Sequence, residues 1–267
     1  MTKNYEGILV DKKDGVATLT LNRPEKMNPL SPPLMGEIIE AMDEIAADPD
    51  VTVLVITGAG RAFTAGADLN WFGGPKKSPD PVEGYRRYHM SISIEEKLRL
   101  YPKTTIAAIN GFALGWGFWL AMLCDFAVMA EDAWIGVPEV NIAFFPAGGT
   151  IKSMLTFVPH RDALYHLLTG DNIGAEEADK LRLVNKVVPK AELMDEAYKL
   201  ADIMKKKDPV IVRFVKRAFW REKYMNYADA IDLESMQGAQ ASGLRPSNGG
   251  PTGIDALRAE KAARNRS

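Results

Sequence analysis

The 267 residues carry 33 Lys and Arg against 35 Asp and Glu, a formal net charge of -2, and are 46% hydrophobic and 25% charged. That balance describes a globular protein and argues against an extended disordered chain or a nucleic-acid binder that relies on a basic surface. The single cysteine, Cys124, excludes an intramolecular disulfide and any multi-cysteine metal site. His89, His160 and His166 are too scattered for a zinc pair, and neither a GxxxxGK[ST] nor a GxGxxG phosphate loop is present. No metal is expected. No apolar leader-like stretch opens the sequence, so a cytoplasmic location without a membrane or nucleic-acid partner is the expectation.

Taken in chain order, Tyr5–Val10 and Gly15–Leu21 read as strands joined by the polar turn Asp11-Lys12-Lys13-Asp14. A helix follows, with Ser31 as its cap and Pro32 in its first turn. Leu34, Met35, Ile38, Ile39, Met42 and Ile45 recur at helical spacing until Pro49 stops it. Val51–Thr57 is a buried strand, nearly all β-branched or apolar. Glycines and prolines at 73–81 mark a loop before a helix over Val82–Leu100, and Thr105–Asn110 and Asp125–Ala130 are further strands. Strands alternating with helices predict an α/β protein with a mostly parallel sheet.

The second half is mainly helical: Asp162–Thr169, Ala175–Leu181, Lys190–Lys206, Asp208–Lys223 and Tyr227–Gly238, with Leu193, Ala197, Leu200 and Met204 on one apolar face. Gly243–Pro251 is rich in helix breakers, and Thr252–Ser267 reads as a terminal basic helix. The expected organisation is a core over residues 1–190 followed by a helical region over residues 191–267.

From Thr104 to Cys124 no residue is charged, a run as long as the ~20 residues of a membrane-spanning helix. Asn110, Gly111, Gly115 and Gly117 divide it, so a buried strand, a turn and a buried helix are expected instead. Two small-residue turns follow strands: Gly58 to Leu69, and Asn110 to Gly117. Two such turns can each aim one backbone N–H at the same oxygen, which is the construction of an oxyanion hole, helped by the positive end of a helix.

The order and spacing of these segments resemble the crotonase superfamily, the enoyl-CoA hydratase/isomerase group. The matching segments are Leu21-Asn22-Arg23-Pro24-Glu25-Lys26-Met27-Asn28, Ile56-Thr57-Gly58 through Asp68-Leu69, Ala108-Ile109-Asn110-Gly111 through Cys124-Asp125, Pro138-Glu139-Val140-Asn141, Ala147-Gly148-Gly149-Thr150, Leu168-Thr169-Gly170 and Leu183-Val184-Asn185 through Val188. The resemblance implies a ClpP/crotonase-like spiral of ββα units, a C-terminal helical region that makes homotrimers or hexamers, and an acyl-CoA thioester as substrate. It implies no cofactor other than coenzyme A as part of that substrate.

By position, the resemblance gives the backbone N–H groups of Ala67 and Trp116 to the thioester oxygen, and Lys26, Met27, Ala65, Asp68 and Leu69 to the coenzyme A. Trp116 departs from the family's usual glycine, so its side chain must find room in the pocket. Asp68 is open to a second reading as a turn or cap residue. Glu139 matches the family's catalytic glutamate and sits in the apolar segment Ile135 to Phe145, where burial would raise its pKa toward the range useful for proton transfer.

A second glutamate, which ordinary hydratases of the family use, would fall at Trp119. Phe118 and Trp119 suggest an aromatic acyl pocket, although aromatics at that spacing also serve as plain core. Phe72 and Phe144 are further pocket candidates. Within the family the sequence is most similar to hydroxycinnamoyl-CoA hydratase-lyases, which keep only the glutamate matching Glu139; Phe72 stands where those enzymes have one phenol-recognising tyrosine, and no second tyrosine is evident. The expected activity is hydration of an α,β-unsaturated acyl-CoA, with retro-aldol cleavage as an extension. Double-bond isomerisation by one glutamate and catalytically silent coenzyme A binding are the alternatives. His89 could approach the acyl pocket or lie on the surface, and Cys124 is assigned to the core.

Overall fold

The computed structural model describes residues 4–73, 80–244, 258, 261 and 262. The elements are β1 (Ile8–Lys13), β2 (Val16–Leu21), α1 (Pro32–Ala47), β3 (Val53–Gly58), β4 (Ala62–Thr64), α2 (Leu69–Phe72), α3 (Pro81–Arg99), β5 (Thr104–Ile109), β6 (Phe112–Leu114), α4 (Trp116–Leu123), β7 (Phe126–Ala130) and β8 (Trp134–Gly136). They continue with α5 (Thr150–Phe157), α6 (His160–Thr169), β9 (Ile173–Gly174), α7 (Ala175–Lys180), β10 (Lys186–Val188), α8 (Leu193–Lys205), α9 (Pro209–Glu222) and α10 (Tyr227–Gly243). The expected breaker-rich stretch and terminal basic helix lie almost wholly outside the described residues.

Six strands form one sheet in the order β1-β2-β3-β5-β7-β10, antiparallel only between β1 and β2. Four short strands form a second sheet in the order β4-β6-β8-β9. Strands β3 and β5 are buried along their whole length, as expected of parallel strands covered on both faces. The uncharged run resolves into β5, β6 and α4, and no helix among the described residues is long and apolar enough to cross a membrane.

The first hairpin turn lies further along than the polar segment suggested. Strand β1 runs to Lys13, and the chain reverses at Asp14 (φ 49°) and Gly15 (φ 81°). An Asp-Gly pair accepts positive φ at both central positions of a two-residue hairpin turn, which matches the twist of the flanking strands. Charge alone does not end an edge strand, because one face of β1 is open to water.

Helix α1 follows its pattern closely. The Ser31 side chain accepts from the Leu34 N–H, and Leu34, Met35, Ile38, Met42 and Ile45 are buried. Each such side chain contributes roughly 1.5–3 kcal/mol by leaving water.

The chain separates into two compact units, residues 1–217 and 218–267. Helix α8 belongs to the first and buries Leu193, Ala197 and Ala201 against β3, β5 and β7. Also within the first unit, Lys216 donates to Asp125 Oδ2 at 2.8 Å, and the same oxygen accepts from the Thr105 N–H and hydroxyl. Both charged side chains are largely buried, at 7% and 16% exposure. Removing the cation strands a buried carboxylate, so Lys216→Met should lower the unfolding free energy by about 3 kcal/mol, read by urea denaturation. A loss within a few tenths of a kcal/mol would show that water replaces the lysine at no cost.

Candidate active site

The site is assembled from two strand-to-helix turns. In the first, Asn28 (φ 56°) is completely buried, and its amide shares its two N–H groups among the carbonyls of Ala59, Ala62 and Phe63. Asn110 braces the same loop, accepting from Gly58 N–H and donating to the carbonyls of Gly60 and Ala62. These bonds satisfy the loop's buried backbone and fix its path.

Residues 27–30 then run beside residues 65–68: Ala65 N–H donates to Met27 O, Leu30 N–H to Gly66 O, and Asp68 N–H to Leu30 O. In an extended segment successive backbone groups point to opposite sides. With Gly66 O and Asp68 N–H turned toward Leu30, the Ala67 N–H is left facing the other way.

In the second turn, Gly115 precedes α4 and holds φ 54° and ψ -114°, a conformation that a side chain would strain. Trp116 is the first residue of α4, so its N–H has no acceptor within the helix and lies at the positive end of the helix dipole. The two turns are in contact: a Cβ on Gly66 (φ 92°) would lie 2.4 Å from Leu114 O and 3.4 Å from the Trp116 nitrogen. Among the described residues, neither the Ala67 nor the Trp116 N–H has a protein acceptor.

Glu139 reaches this point from a single turn of 3-10 helix, Pro138–Ile142, that ends at Ala143 in the left-handed region. A Cβ on Gly115 would sit 2.4 Å from Glu139 Oε1, so the missing side chain makes the space for the carboxyl. Glu139 Oε2 is buried with no hydrogen-bond partner among the described residues. Burial pushes the Glu139 pKa above its ordinary value, the direction the apolar segment predicts. Unfolding therefore releases a proton between the ordinary and the raised value, and the fold loses stability as pH rises through that window. Glu139→Gln carries no such penalty, so its melting temperature relative to the parent should climb from pH 4 upward and then level off. A constant difference across pH would mean that the carboxyl is not desolvated.

A pocket of about 210 Å³ joins these groups, lined by Ala65, Gly66, Ala67, Leu69, Phe72, Tyr88, Leu114, Gly115, Trp116, Pro138, Glu139, Asn141, Ile142, Phe144, Phe145 and Ala147. Of the residues assigned from sequence, Ala65, Ala67, Leu69, Phe72, Trp116, Glu139 and Phe144 come together here. Lys26, exposed, and Met27 lie on the adjoining turn. Asp68 does not line the pocket: it caps α2 by accepting from the Asn70 N–H and stands 3.9 Å from Arg23. Trp119 does not line it either. It is fully buried behind Trp116, ring centroids 6.3 Å apart, with its indole N–H unpartnered among the described residues. Phe118 is likewise completely buried, so this pair is core.

Among the lining residues that the sequence reading did not assign to the site, Tyr88 is the one brought from a distant helix. It comes from α3, and its ring lies 5.2 Å from Phe72 and 6.3 Å from Trp116. Partial burial raises its pKa. Its spacing to Ser91 and Glu95 is helical, but α3 has only a weak apolar stripe to announce which side faces inward. His89, one residue on, is exposed and stacks near Tyr85 at 5.2 Å. Cys124 is buried, and desolvation pushes its thiol up to about 12, which leaves it inert. No cluster of three or more metal-ligating side chains occurs among the described residues.

Two backbone donors without protein acceptors and a half-buried carboxyl thus share one pocket, a combination suited to chemistry at an acyl carbonyl. Residues 11–242 match the enoyl-CoA hydratase/isomerase family, and the chain belongs to it. Among its relatives, a hydroxycinnamoyl-CoA hydratase-lyase of Pseudomonas fluorescens is 37% identical over 233 residues, 85% of this chain and 84% of that protein. A short-chain-enoyl-CoA hydratase of Clostridium acetobutylicum is 34% identical, covering 85% and 86%. The crystal structure of an enoyl-CoA hydratase from Bacillus anthracis superposes with a TM-score of 0.86 at 29% identity, covering 97% of both chains.

Proposed function

We propose that this chain is an acyl-CoA lyase that adds water to an α,β-unsaturated acyl-CoA. The carrying observation is the half-buried Glu139 carboxyl, its Oε2 without a partner among the described residues, beside the Ala67 and Trp116 turns in one apolar pocket. The thioester oxygen accepts from both N–H groups. As the water oxygen bonds to C3, the Glu139 carboxylate takes one of its protons, and the C2–C3 π electrons move onto the thioester as an enolate. The proton then passes from Glu139 to C2, so one carboxyl serves both halves of the addition and is regenerated. In the cleavage extension, which the Pseudomonas relative's name suggests, Glu139 takes the C3 hydroxyl proton, the C2–C3 bond breaks to release an aldehyde, and the resulting enolate is protonated at C2.

Coenzyme A enters as part of the substrate, and the reading requires no separate cofactor. The exposed Lys26 suits its phosphates, and the exposed Leu69 suits its pantetheine arm. Exposed apolar side chains such as Ile142, Phe145 and Leu168 suit burial between subunits of a trimer or hexamer, and the cytoplasm suits the acyl-CoA supply.

Double-bond isomerisation is a second reading, favoured by one observation: among the described residues Glu139 is the sole carboxylate lining the pocket. One base suffices to move a proton between C2 and C4. Mass spectrometry of products from aliphatic, alicyclic and aromatic enoyl-CoAs separates the readings. Hydration adds the mass of water, cleavage releases an aldehyde, and isomerisation leaves the mass unchanged while shifting the double bond. Tight binding without any of these outcomes contradicts both and leaves a coenzyme A-binding protein.

A further inference from the structure

The Trp116 side chain is a separate feature from its backbone N–H. Its indole is almost completely buried, at 2% exposure, yet it forms part of the pocket wall. The indole N–H donates to Ala147 O at 2.9 Å, and that carbonyl also accepts from the Thr150 hydroxyl. A Cβ on Gly148 would come within 2.5 Å of the same indole nitrogen, so the 147–149 turn is fitted closely around this ring. On its other sides the ring packs edge-on to Phe72, centroids 4.8 Å apart, and against Tyr88 and Trp119. Trp116 thus stands between the pocket and the fully buried Trp119, closing the end of the pocket that points into the core.

The resulting size is small. At about 210 Å³ the pocket falls below the ~300–1,000 Å³ usual for small-molecule sites. An apolar cavity of ~150 Å³ holds a benzene ring. Once the reacting carbons beside Glu139 are placed, room remains for one ring or a short chain.

We infer that the Trp116 indole is a specificity-determining group that limits the acyl moiety to a compact one, a short chain or a single ring, by plugging the inner end of the pocket. This rests on the reading of the site as an acyl-CoA site, but not on which reaction follows. Removing the plug extends the pocket toward Trp119 while leaving the residue-116 N–H in place. Each further methylene that then enters apolar surroundings should tighten binding ~fourfold.

The test is calorimetric binding of saturated butanoyl-, hexanoyl-, octanoyl- and decanoyl-CoA, which undergo no net conversion, to the full chain. In the parent protein, affinity should stop rising by hexanoyl-CoA. In Trp116→Ala it should keep rising, so that the decanoyl-to-butanoyl affinity ratio grows at least ~tenfold over the parent's, as two or more added methylenes require. Trp116→Phe, which keeps most of the plug but loses the bond to Ala147, should retain the parent's plateau. If Trp116→Ala fails to fold by thermal melting, Trp116→Leu supplies the intermediate opening, and the parent's own plateau stands as an independent check. A chain-length profile that rises steadily in the parent, or is unchanged in the opened variant, overturns the inference alone. Failure of every protein to bind any acyl-CoA overturns the acyl-CoA reading and the inference with it.

Discussion

Glu139→Gln should lower the turnover of the best enoyl-CoA substrate by at least ~100-fold, the usual lower bound for losing a general acid–base group. The substitution is nearly isosteric, and it places a neutral amide where one carboxyl oxygen, Oε2, lacks a partner among the described residues. Binding of unreactive acyl-CoA should therefore persist, and the loss should appear in kcat. The pH profile gives a second readout. Because burial raises the Glu139 pKa, the base form is lost at a higher pH than for an ordinary carboxylate, and the parent's rate should fall on acidification from that higher point. A variant with near-normal kcat would remove Glu139 from the chemistry altogether.

Gly115→Ala should cost nearly as much, by a different route. The added methyl would lie 2.4 Å from Glu139 Oε1, and φ 54° at this residue is a conformation that a side chain resists. Backbone strain of this type costs ~1–3 kcal/mol, so thermal melting should shift downward. The carboxyl must also move aside. A displacement near 1 Å in a reacting group lowers rates by ~100-fold, and kcat should fall by that order. Gly36→Ala is the control, because a Cβ there meets nothing within 4 Å; it should leave the rate unchanged and, since alanine is favoured over glycine by ~1 kcal/mol inside a helix such as α1, raise the melting temperature slightly. Equal behaviour of the two variants would show that the close approach of Gly115 to Glu139 is unimportant.

Those two residues also show what is legible in the sequence and what is not. Glu139 stands out because a carboxylate in an apolar run is unusual, and burial in the fold raises its pKa as that setting predicts. The glycine turns stand out for the same reason: small residues after a buried strand point to a close approach, and Gly66 makes one to the backbone of Leu114 and Trp116 while Gly115 makes one to the Glu139 carboxyl. Long elements such as α1, β3 and β5 are written in hydrophobic period and in β-branched content, and their positions agree with the structure to within two residues. The small sheet is invisible at that level because β4, β6 and β8 have three residues each, too few for any period.

Side-chain direction is harder still. Trp119 is open to both a pocket and a core reading, with core the commoner role for aromatics at that spacing, and it lies behind Trp116, outside the pocket lining. Tyr88 enters the site from a helix beyond a glycine- and proline-rich loop, so nothing local ties it to Phe72, 5.2 Å away. Asp68 kept two readings for a similar reason, since a capping aspartate and a ligand-binding one have the same local sequence. Its bond to the Asn70 N–H shows the capping role.

On this mechanism the Ala67 and Trp116 N–H groups hold an enolate while Glu139 moves a proton to and from C2. Hydration, cleavage and isomerisation all depend on that step. It can be observed without any of them, by incubating a saturated acyl-CoA with the protein in deuterated water and following deuterium at C2 by mass spectrometry. The parent protein should incorporate deuterium, and Glu139→Gln none above background. A parent protein that binds the thioester yet leaves C2 unlabelled would contradict this mechanism.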